Sequence, residues 1–334
     1  MDISVVVPTC NRKDRLMSLL GNLDNSLLPV KEVIVVDSGE DLLSEAELAA
    51  YKQLAIRYLR SEKSVCIQRN TGIRAATSSW IFLCDDDVKV PVDYLQKITA
   101  HIHQHPKAGA VSGLFLQKEN DVWKGEYSIT SSRGLIWHYV FGLSMWGKIT
   151  CPDNFFTRPI KRHYAKKGNH LSKAGWPVIT NMSGEYTSVP VYTLGASVVK
   201  KEWLLQSPYD EVLDPHGIGD NYGVAIGFPP EGIHIVPAAF VYHHHEPANR
   251  LKKPLQYYRR VLALEYFIST KQVPSHIKKS WFLWSLTGSL LAFIVARNSS
   301  MIKSAFKAIR IIVPGRNPYT KAARNKERVI TPLL

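Results

Sequence analysis

The sequence lacks the two glycine-rich signatures that commonly hold nucleotide phosphates. Neither G-x-G-x-x-G nor G-x-x-x-x-G-K-[ST] occurs in its 334 residues, so neither a dinucleotide-binding fingerprint nor a P-loop is supported. Cysteine is scarce: Cys10, Cys66, Cys84 and Cys151 are scattered, without a C-x-x-C pair. This spacing excludes a disulfide framework and a cysteine-rich zinc site, and it favours reduced thiols.

Long uncharged runs are missing as well. Residues 3–7 are apolar, but they follow Asp2 and are too few for a signal-peptide core, so we expect no signal peptide. A run of 16 uncharged residues at positions 281–296 is shorter than the about 20 residues that a spanning helix needs. We therefore expect a cytoplasmic protein.

The positive charge is confined to one end of the chain. The formal net charge is +14, yet residues 1–245 hold 25 basic and 25 acidic residues, while residues 246–334 hold 17 basic and 3 acidic ones. A neutral body with a basic end predicts contact with an anionic surface or polymer.

The pattern after the uncharged run is amphipathic. Ile302, Ala305, Phe306, Ile309 and Ile312 are expected on one helical face, and basic residues on another. Basic amphipathic helices typically lie in a membrane interface, so we expect peripheral binding to the inner face of an anionic membrane. The alternative is that both helices pack on the body as a C-terminal cap. Nucleic-acid binding is not expected, because the uncharged aromatic run suits lipid better.

Apolar runs alternate with helical patterns through the body of the chain. Strands are predicted at residues 3–8, 33–36, 56–59, 80–84, 109–116 and 236–242, and helices at 16–23, 40–49, 64–76 and 93–105. This alternation predicts an α/β fold with a mainly parallel sheet covered by helices.

Three consecutive carboxylates, Asp85, Asp86 and Asp87, follow the strand predicted at residues 80–84. Open α/β sheets bind ligands at the carboxyl ends of their strands. In an extended backbone Asp85 and Asp87 lie on one side and Asp86 on the other. Two converging carboxylates suit Mg²⁺, whose other ligands are usually waters and phosphate oxygens. The alternative is a solvated acidic turn.

Four segments resemble a known family when they are taken together. They are residues 5–12 (VVVPTCNR), 35–39 (VVDSG), 68–76 (QRNTGIRAA) and 82–87 (FLCDDD). In this order they resemble the nucleotide-sugar half of the family 2 glycosyltransferases of GT-A fold.

The resemblance implies a division of the chain. A Rossmann-like GT-A catalytic domain is expected over residues 1–245, with a nucleotide-sugar half at 1–90 and an acceptor half at 91–245. A basic, partly amphipathic helical extension is expected at 246–334.

The resemblance also implies donor-site roles. The residues expected along the nucleoside are Pro8, Thr9, Asn11 and Arg12, and those expected near the diphosphate are Arg69 and Asn70. Asp37 would accept a hydrogen bond from a pyrimidine base, although a turn-forming role is the alternative. Asp85 and Asp87 would bind Mg²⁺ or Mn²⁺ as the family's D-x-D motif, and Asp86 would contact the sugar or solvent.

The family pattern resumes at residues 191–201 and 217–221 (GIGDN). In relatives an acidic pair at the start of a helix supplies the general base that an inverting transfer needs. Here the pair reads Asp220-Asn221, so Asp220 is expected as the base. Asp210 and Asp214 are alternatives, and a helix cap is the structural interpretation of Asp220.

Three histidines follow the last predicted strand. In GT-A enzymes a histidine at this point approaches the metal or the diphosphate, which makes His243 and His245 candidate metal ligands. The two share one side of an extended backbone. An exposed loop without a ligand role is the alternative.

Residues 117–190 show no clear period and are rich in aromatic residues. Long stretches of this kind are usually functional, and aromatic faces suit a sugar acceptor, although most single rings are expected in the core.

The resemblance therefore implies an inverting, metal-dependent hexosyl- or deoxyhexosyltransferase. It would move a sugar from a UDP- or dTDP-sugar to a glycan or polyprenyl-linked saccharide. The alternatives are a sugar-phosphate nucleotidyltransferase, whose glycine-rich N-terminal loop is missing here, and a membrane-attached nucleotide-sugar binding protein with a degenerate acceptor site.

Overall fold

The computed structural model describes residues 1–125, 127–244 and 251–329 and is built on a ten-stranded sheet. The strands are β1 (Ile3–Thr9), β2 (Glu32–Asp37), β3 (Ile56–Arg60), β4 (Trp80–Cys84), β5 (Val88–Lys89), β6 (Ala110–Glu119), β7 (Val122–Lys124), β8 (Ser128–Ile129), β9 (Met145–Trp146), β10 (Lys148–Ile149), β11 (His170–Leu171), β12 (Pro177–Ile179), β13 (Thr187–Val189), β14 (Ala196–Lys200) and β15 (Ile233–His243). The helices are α1 (Lys13–Asp24), α2 (Glu45–Leu48), α3 (Val65–Ala75), α4 (Tyr94–Gln104), α5 (Ser132–Phe141), α6 (Thr157–Lys167), α7 (Lys201–Gln206), α8 (Asp220–Ala225), α9 (Lys253–Thr270), α10 (Lys279–Val295), α11 (Ser299–Ile312) and α12 (Pro318–Asn325).

The main sheet has the strand order β13-β15-β6-β14-β4-β1-β2-β3. Strands β4, β1, β2 and β3 run parallel to one another, as do β6 and β15. Strand β14 runs antiparallel to both β4 and β6 and joins the two groups. The predicted α/β fold with a mainly parallel sheet is confirmed.

Helices cover both faces of the parallel strands, and every residue of β1 and β2 is buried. Helix α1 buries Leu16, Leu19, Leu20 and Leu23 against one face, as its leucine spacing predicted. Helix α3 covers the other face at close range. A Cβ on its Gly72 would lie 2.4 Å from Val6 Cγ1, which explains the glycine within the QRNTGIRAA segment.

The stretch without a visible period contains regular structure. Helices α5 and α6 lie in it, together with several strands of two or three residues. Such strands are too short to show alternation. Helix α5 has no distinct apolar face, because Leu135 is buried while several other sides of the helix are partly exposed. The side chains of Leu135, Met145, Ile160 and Val178 form a separate small core here.

The C-terminal helices pack on the body. Phe267 of α9, Phe282 of α10 and Ile312 of α11 share a core with Ile81 and Leu83 of β4. The apolar side chains expected on one face of α11 differ in exposure, since Ala305 and Ile312 are buried against the body whereas Phe306 is 60% exposed. Within the described residues, none of the helices combines the length and the apolar character needed to cross a bilayer.

A buried network attaches these helices to the loop before α8. Asp214 is fully buried and accepts hydrogen bonds from Arg259 Nη1 at 2.7 Å and from the Tyr319 hydroxyl at 2.6 Å. Burial alone raises the pKa of a carboxyl group, but bonds from His216 and Tyr319 and the charge of Arg259 lower the pKa of Asp214. Asp214 is therefore an anion that holds α9 and α12 in place.

Candidate active site

A cleft of about 660 Å³ lies at the carboxyl ends of β1 and β4. We call it the carboxylate cleft. Its walls include eight of the residues predicted for the donor or the metal, namely Pro8, Thr9, Arg12, Arg69, Asp85, Asp86, Asp87 and His243. The topology brings them together because β1 and β4 are parallel neighbours and end at the same edge of the sheet.

Asp86 and Asp87 both lie close to the side chain of Arg12, which is in the loop that follows β1. Arg12 Nη1 donates to Asp86 Oδ1 at 2.8 Å and lies 3.4 Å from Asp87 Oδ2. Thr9 Oγ1 donates to Asp86 Oδ2 at 2.7 Å. Burial raises the pKa of Asp86 to about 6, although Arg12 and Thr9 oppose the shift. Arg12 and Thr9, which were predicted to bind the donor, thus hold the buried Asp86 carboxylate in place.

The predicted alternation of the three carboxylates is wrong. Residues 86 and 87 form a turn and do not continue the strand, so the two-residue period of a strand no longer applies. As a result Asp86 and Asp87 share Arg12, while Asp85 turns to Arg69.

Asp85 is the most accessible of the three carboxylates, with 28% of its side chain exposed. Its Oδ1 accepts a hydrogen bond from Arg69 Nη2 at 2.6 Å. Gly195 leaves the space for this carboxylate, since a Cβ there would lie 2.2 Å from Asp85 Oδ2. The backbone N–H of Asp85 also donates to the Gly195 carbonyl at 2.8 Å.

Arg69 also pairs with Asp220, the predicted base. Arg69 is buried, its Nη1 donates to Asp220 Oδ2, and its guanidinium lies 5.0 Å from the Tyr209 ring centroid. One arginine therefore joins the D-x-D segment to the first residue of α8.

Burial raises the pKa of Asp220 to about 6, against the opposing charge of Arg69 and a hydrogen bond from the Asn221 N–H. A carboxyl group with this pKa is largely ionised at neutral pH yet basic enough to accept a proton. Gly219, at φ +98°, immediately precedes α8, and no side-chain hydrogen bond caps the start of this helix.

The two alternative bases lie elsewhere. Asp214 is enclosed by Arg259 and Tyr319. Asp210 accepts a hydrogen bond from the Tyr266 hydroxyl at 2.9 Å and lines a different cavity. Neither borders the carboxylate cleft.

His243, at the end of β15, is the histidine that the sheet brings to the D-x-D segment. Its Nε2 lies 3.4 Å from Asp87 Oδ1, and the pairing of β15 with β5 fixes this position. His245 lies outside the described residues. Within the described part of the chain, no three His, Cys, Asp or Glu side chains form a group able to hold a metal ion by themselves.

Three predicted donor residues do not line the carboxylate cleft. Asp37 is buried and accepts hydrogen bonds from the Tyr58 hydroxyl and from the Gly39 N–H at 2.6 Å. Asn11, at φ +52°, accepts a bond from the Glu40 N–H. Asn70 lies in another cavity, where its amide donates to the Tyr209 carbonyl and to Glu211.

The cleft also contains residues that the sequence analysis missed. Lys63, His216, Lys253 and Gln256 line it. Lys253 and Gln256 belong to α9, so the C-terminal helices complete the cleft. The high density of lysine in the C-terminal segment was visible in the sequence, but only the fold shows which of them reaches the cleft.

A second cavity, of about 410 Å³, borders Asp220. We call it the aromatic pocket. Its lining includes Trp146, Trp176, Tyr192, Asp220 and Arg260. The Arg69–Asp220 ion pair connects the two cavities, because Arg69 lines the carboxylate cleft and Asp220 lines the aromatic pocket.

The chain is similar to known proteins in sequence and in fold. The model of the glycosyl transferase family 2 matches residues 4–169. The uncharacterized glycosyltransferase YwdF of Bacillus subtilis is 31% identical over 103 residues, which are 30% of this chain and 38% of the relative. An uncharacterized glycosyltransferase of Haemophilus influenzae is 29% identical over 108 residues, which are 31% of this chain and 35% of the relative. The similarity thus spans little more than a third of each curated relative.

Solved structures resemble the whole chain. S. aureus TarS 1–349 in complex with UDP-GlcNAc has a TM-score of 0.53 at 13% identity, covering 98% of this chain and 93% of that one. GalNAc-T7 with UDP, GalNAc and Mn²⁺ has a TM-score of 0.51 at 12% identity, covering 96% of this chain and 58% of that one. At such identities the likeness concerns the fold.

These findings define a protein of GT-A fold. Residues 4–169 match glycosyl transferase family 2, and this segment includes β1 from residue 4 onward, the Asp37 turn, helix α3 and the D-x-D segment.

Proposed function

We propose that the protein is an inverting glycosyltransferase that moves a hexosyl or deoxyhexosyl group from a UDP- or dTDP-sugar to a saccharide hydroxyl. The observation that carries this proposal is the Arg69 bridge, which places a carboxylate with a pKa of about 6 next to the D-x-D cleft. The solved relative with UDP-GlcNAc supports a nucleotide-sugar donor.

The donor would lie in the carboxylate cleft. Lys63 and Lys253 supply positive charge for a diphosphate. Asp37, at the end of β2, is paired with the cleft residue Thr9 of β1. We propose that the base is recognised at the turn that Asp37 and Asn11 support.

The side chains fit a divalent cation that a nucleotide would help to bind. Asp85, Asp87 and His243 line the same cleft, and Mg²⁺ usually takes one or two carboxylates together with waters and substrate phosphates. The solved structure of GalNAc-T7 contains Mn²⁺ with UDP. When bound, such an ion would neutralise charge on the leaving diphosphate.

Asp220 would take the proton of the acceptor hydroxyl as its oxygen attacks the anomeric carbon. In the same displacement the bond from that carbon to the nucleoside diphosphate breaks, so the configuration inverts. Arg69 keeps the carboxylate ionised and oriented, since it pairs with Asp220 from the donor side.

The donor proposal is tested by calorimetric titration of UDP, dTDP, GDP and CDP with and without Mn²⁺. We expect one pyrimidine diphosphate to bind in a metal-dependent manner, and the double variant Asp85→Ala, Asp87→Ala to weaken binding by about 100-fold or more, because it removes two charged ligands. The matched control is Asp93→Ala, which changes a partly exposed aspartate at the start of α4. Absence of binding by every nucleotide would refute the proposal.

We further propose that the protein binds peripherally to an anionic membrane at the cytoplasmic face. On α10, Trp281, Trp284, Leu291 and Ile294 are each more than a third exposed and recur at helical spacing. The excess of basic residues in the same segment supplies charge complementary to anionic lipid. A polyprenyl-linked or other membrane-borne acceptor would fit this placement.

Vesicle co-sedimentation tests this placement. We expect binding to vesicles that contain phosphatidylglycerol, weaker binding at high salt, and about a tenfold loss in the double variant Trp284→Ser, Ile294→Ser, because each apolar side chain contributes on the order of 1 kcal/mol or more when buried. Leu27→Ser, at an exposed site on the nucleotide half, should bind as the parent does. Equal sedimentation with and without vesicles would contradict membrane binding.

A further inference from the structure

Arg260 is a cation of the aromatic pocket without a carboxylate partner. Within residues 1–125, 127–244 and 251–329, no acidic side chain forms an ion pair with it. Its neighbour in the chain differs, because Arg259 is buried and pairs with Asp214. The contrast shows that α9 directs one arginine into the core and the next one into the pocket.

The charge of Arg260 is not used to balance Asp220. Both residues line the aromatic pocket, but the carboxylate of Asp220 accepts its hydrogen bonds from Arg69 and from the Asn221 N–H. The Arg260 side chain lines the pocket and is exposed to solvent. Arginine stays protonated at neutral pH.

The rest of the pocket is built for a ring with apolar faces. Trp146 and Tyr192 stack with their ring centroids 5.4 Å apart. Trp176 is held by a hydrogen bond of 2.8 Å from its Nε1 to Ser285 Oγ of α10. Apolar walls with a few placed polar groups are typical of small-molecule sites.

We infer that the aromatic pocket binds an anionic acceptor, whose phosphate or carboxylate group pairs with Arg260 while its sugar ring packs on the aromatic walls. This inference rests on the proposed function and specifies its acceptor class. The planar guanidinium matches both oxyanions in a two-pronged geometry. A neutral acceptor would gain no charge-assisted hydrogen bond from Arg260, so we expect it to bind more weakly than an anionic one.

The test measures acceptor binding with the carboxylate cleft already filled. Wild-type protein saturated with UDP and Mn²⁺ is titrated by ligand-observed NMR with glucose 6-phosphate, glucuronate and methyl glucoside. Saturating UDP prevents the phosphate probe from entering the cleft. We expect at least one charged probe to bind about tenfold or more tightly than the neutral one, because a hydrogen bond between charged groups contributes more to binding than one between neutral groups. The preferred probe distinguishes phosphate from carboxylate.

Variants assign the effect to Arg260. Arg260→Gln should abolish the preference for the charged probe, Arg260→Lys should keep part of it, and Lys303→Gln, an equal change of charge at an exposed site of α11, should leave it unchanged. Equal binding of charged and neutral probes by the wild type, or a preference that survives in Arg260→Gln, would overturn the inference. Failure of the proposed function is separate, since it would appear as loss of UDP binding itself.

Discussion

Asp220→Asn is expected to lower kcat for sugar transfer by about 10²–10⁴-fold, the usual contribution of a general base. Asparagine keeps the size and a carbonyl oxygen for Arg69 but cannot accept the proton of the acceptor. The KM for the donor should change little, because Asp220 lies on the far side of Arg69 from the carboxylate cleft. Initial rates of nucleotide release with saturating donor and acceptor measure this effect.

The same carboxylate predicts the acidic limb of the pH profile. Its pKa is about 6, and the ionised form is the active one, so kcat should be level above this pH and fall tenfold for each further pH unit below it. Asp86 titrates in the same range. Donor binding measured over the same pH series separates the two carboxyl groups. Protonation of Asp86 should affect donor binding because Asp86 lines the carboxylate cleft, whereas Asp220 does not line it.

Asp210→Asn is the control for the assignment of the base. Asp210 contacts Tyr266 in a different cavity, so its replacement should leave kcat within about threefold of the wild-type value, in keeping with a surface polar change. A variant at Asp220 that retains full activity would remove it as the base. Nucleotide binding without any transfer in the wild type would instead favour the binding-protein alternative.

Arg259→Met is expected to lower the free energy of unfolding by about 3–5 kcal/mol, the cost of leaving one buried charge without its partner. Arg259 and Asp214 are both nearly inaccessible, and their bond is 2.7 Å long. Methionine fills a similar volume, so the loss would reflect the stranded carboxylate of Asp214. Urea unfolding, with midpoints compared at constant m-value, measures the change.

Arg310→Met provides the comparison for this prediction. Arg310 lies on the exposed side of α11, where the same substitution should alter the free energy of unfolding by less than about 0.5 kcal/mol. Equal urea midpoints for the Arg259 and Arg310 variants would show that the Asp214 network contributes little to stability.

Local patterns in the sequence were sufficient for the strands and helices of the nucleotide half. The apolar runs of β1, β2 and β4 are continuous because both faces are buried, and the leucines of α1 recur at helical spacing. The D-x-D segment was found for the same reason, since it directly follows a buried strand. The geometry within the D-x-D segment was not predicted, because a turn replaces the strand at Asp86.

Contacts between distant segments could not be predicted. Arg69 and Asp220 are 151 residues apart in the chain, and nothing near either residue indicates the other. The position of Arg260 depends on how α9 packs, which also decides that Arg259 faces inward. Helix α5 of the middle stretch was missed because it shows no clear division into an apolar and a polar face.

The order of synthesis determines when the Asp214 network can form. Asp214 leaves the ribosome 45 residues before Arg259 and 105 residues before Tyr319. The parallel strands of the nucleotide half are complete by then and fold early, as N-terminal units generally do during synthesis. The loop that leads to Asp220 stays without its anchors until the last helices emerge. We therefore expect the candidate base to become ordered only after α9 and α12 have been synthesised, later than the carboxylates of the cleft.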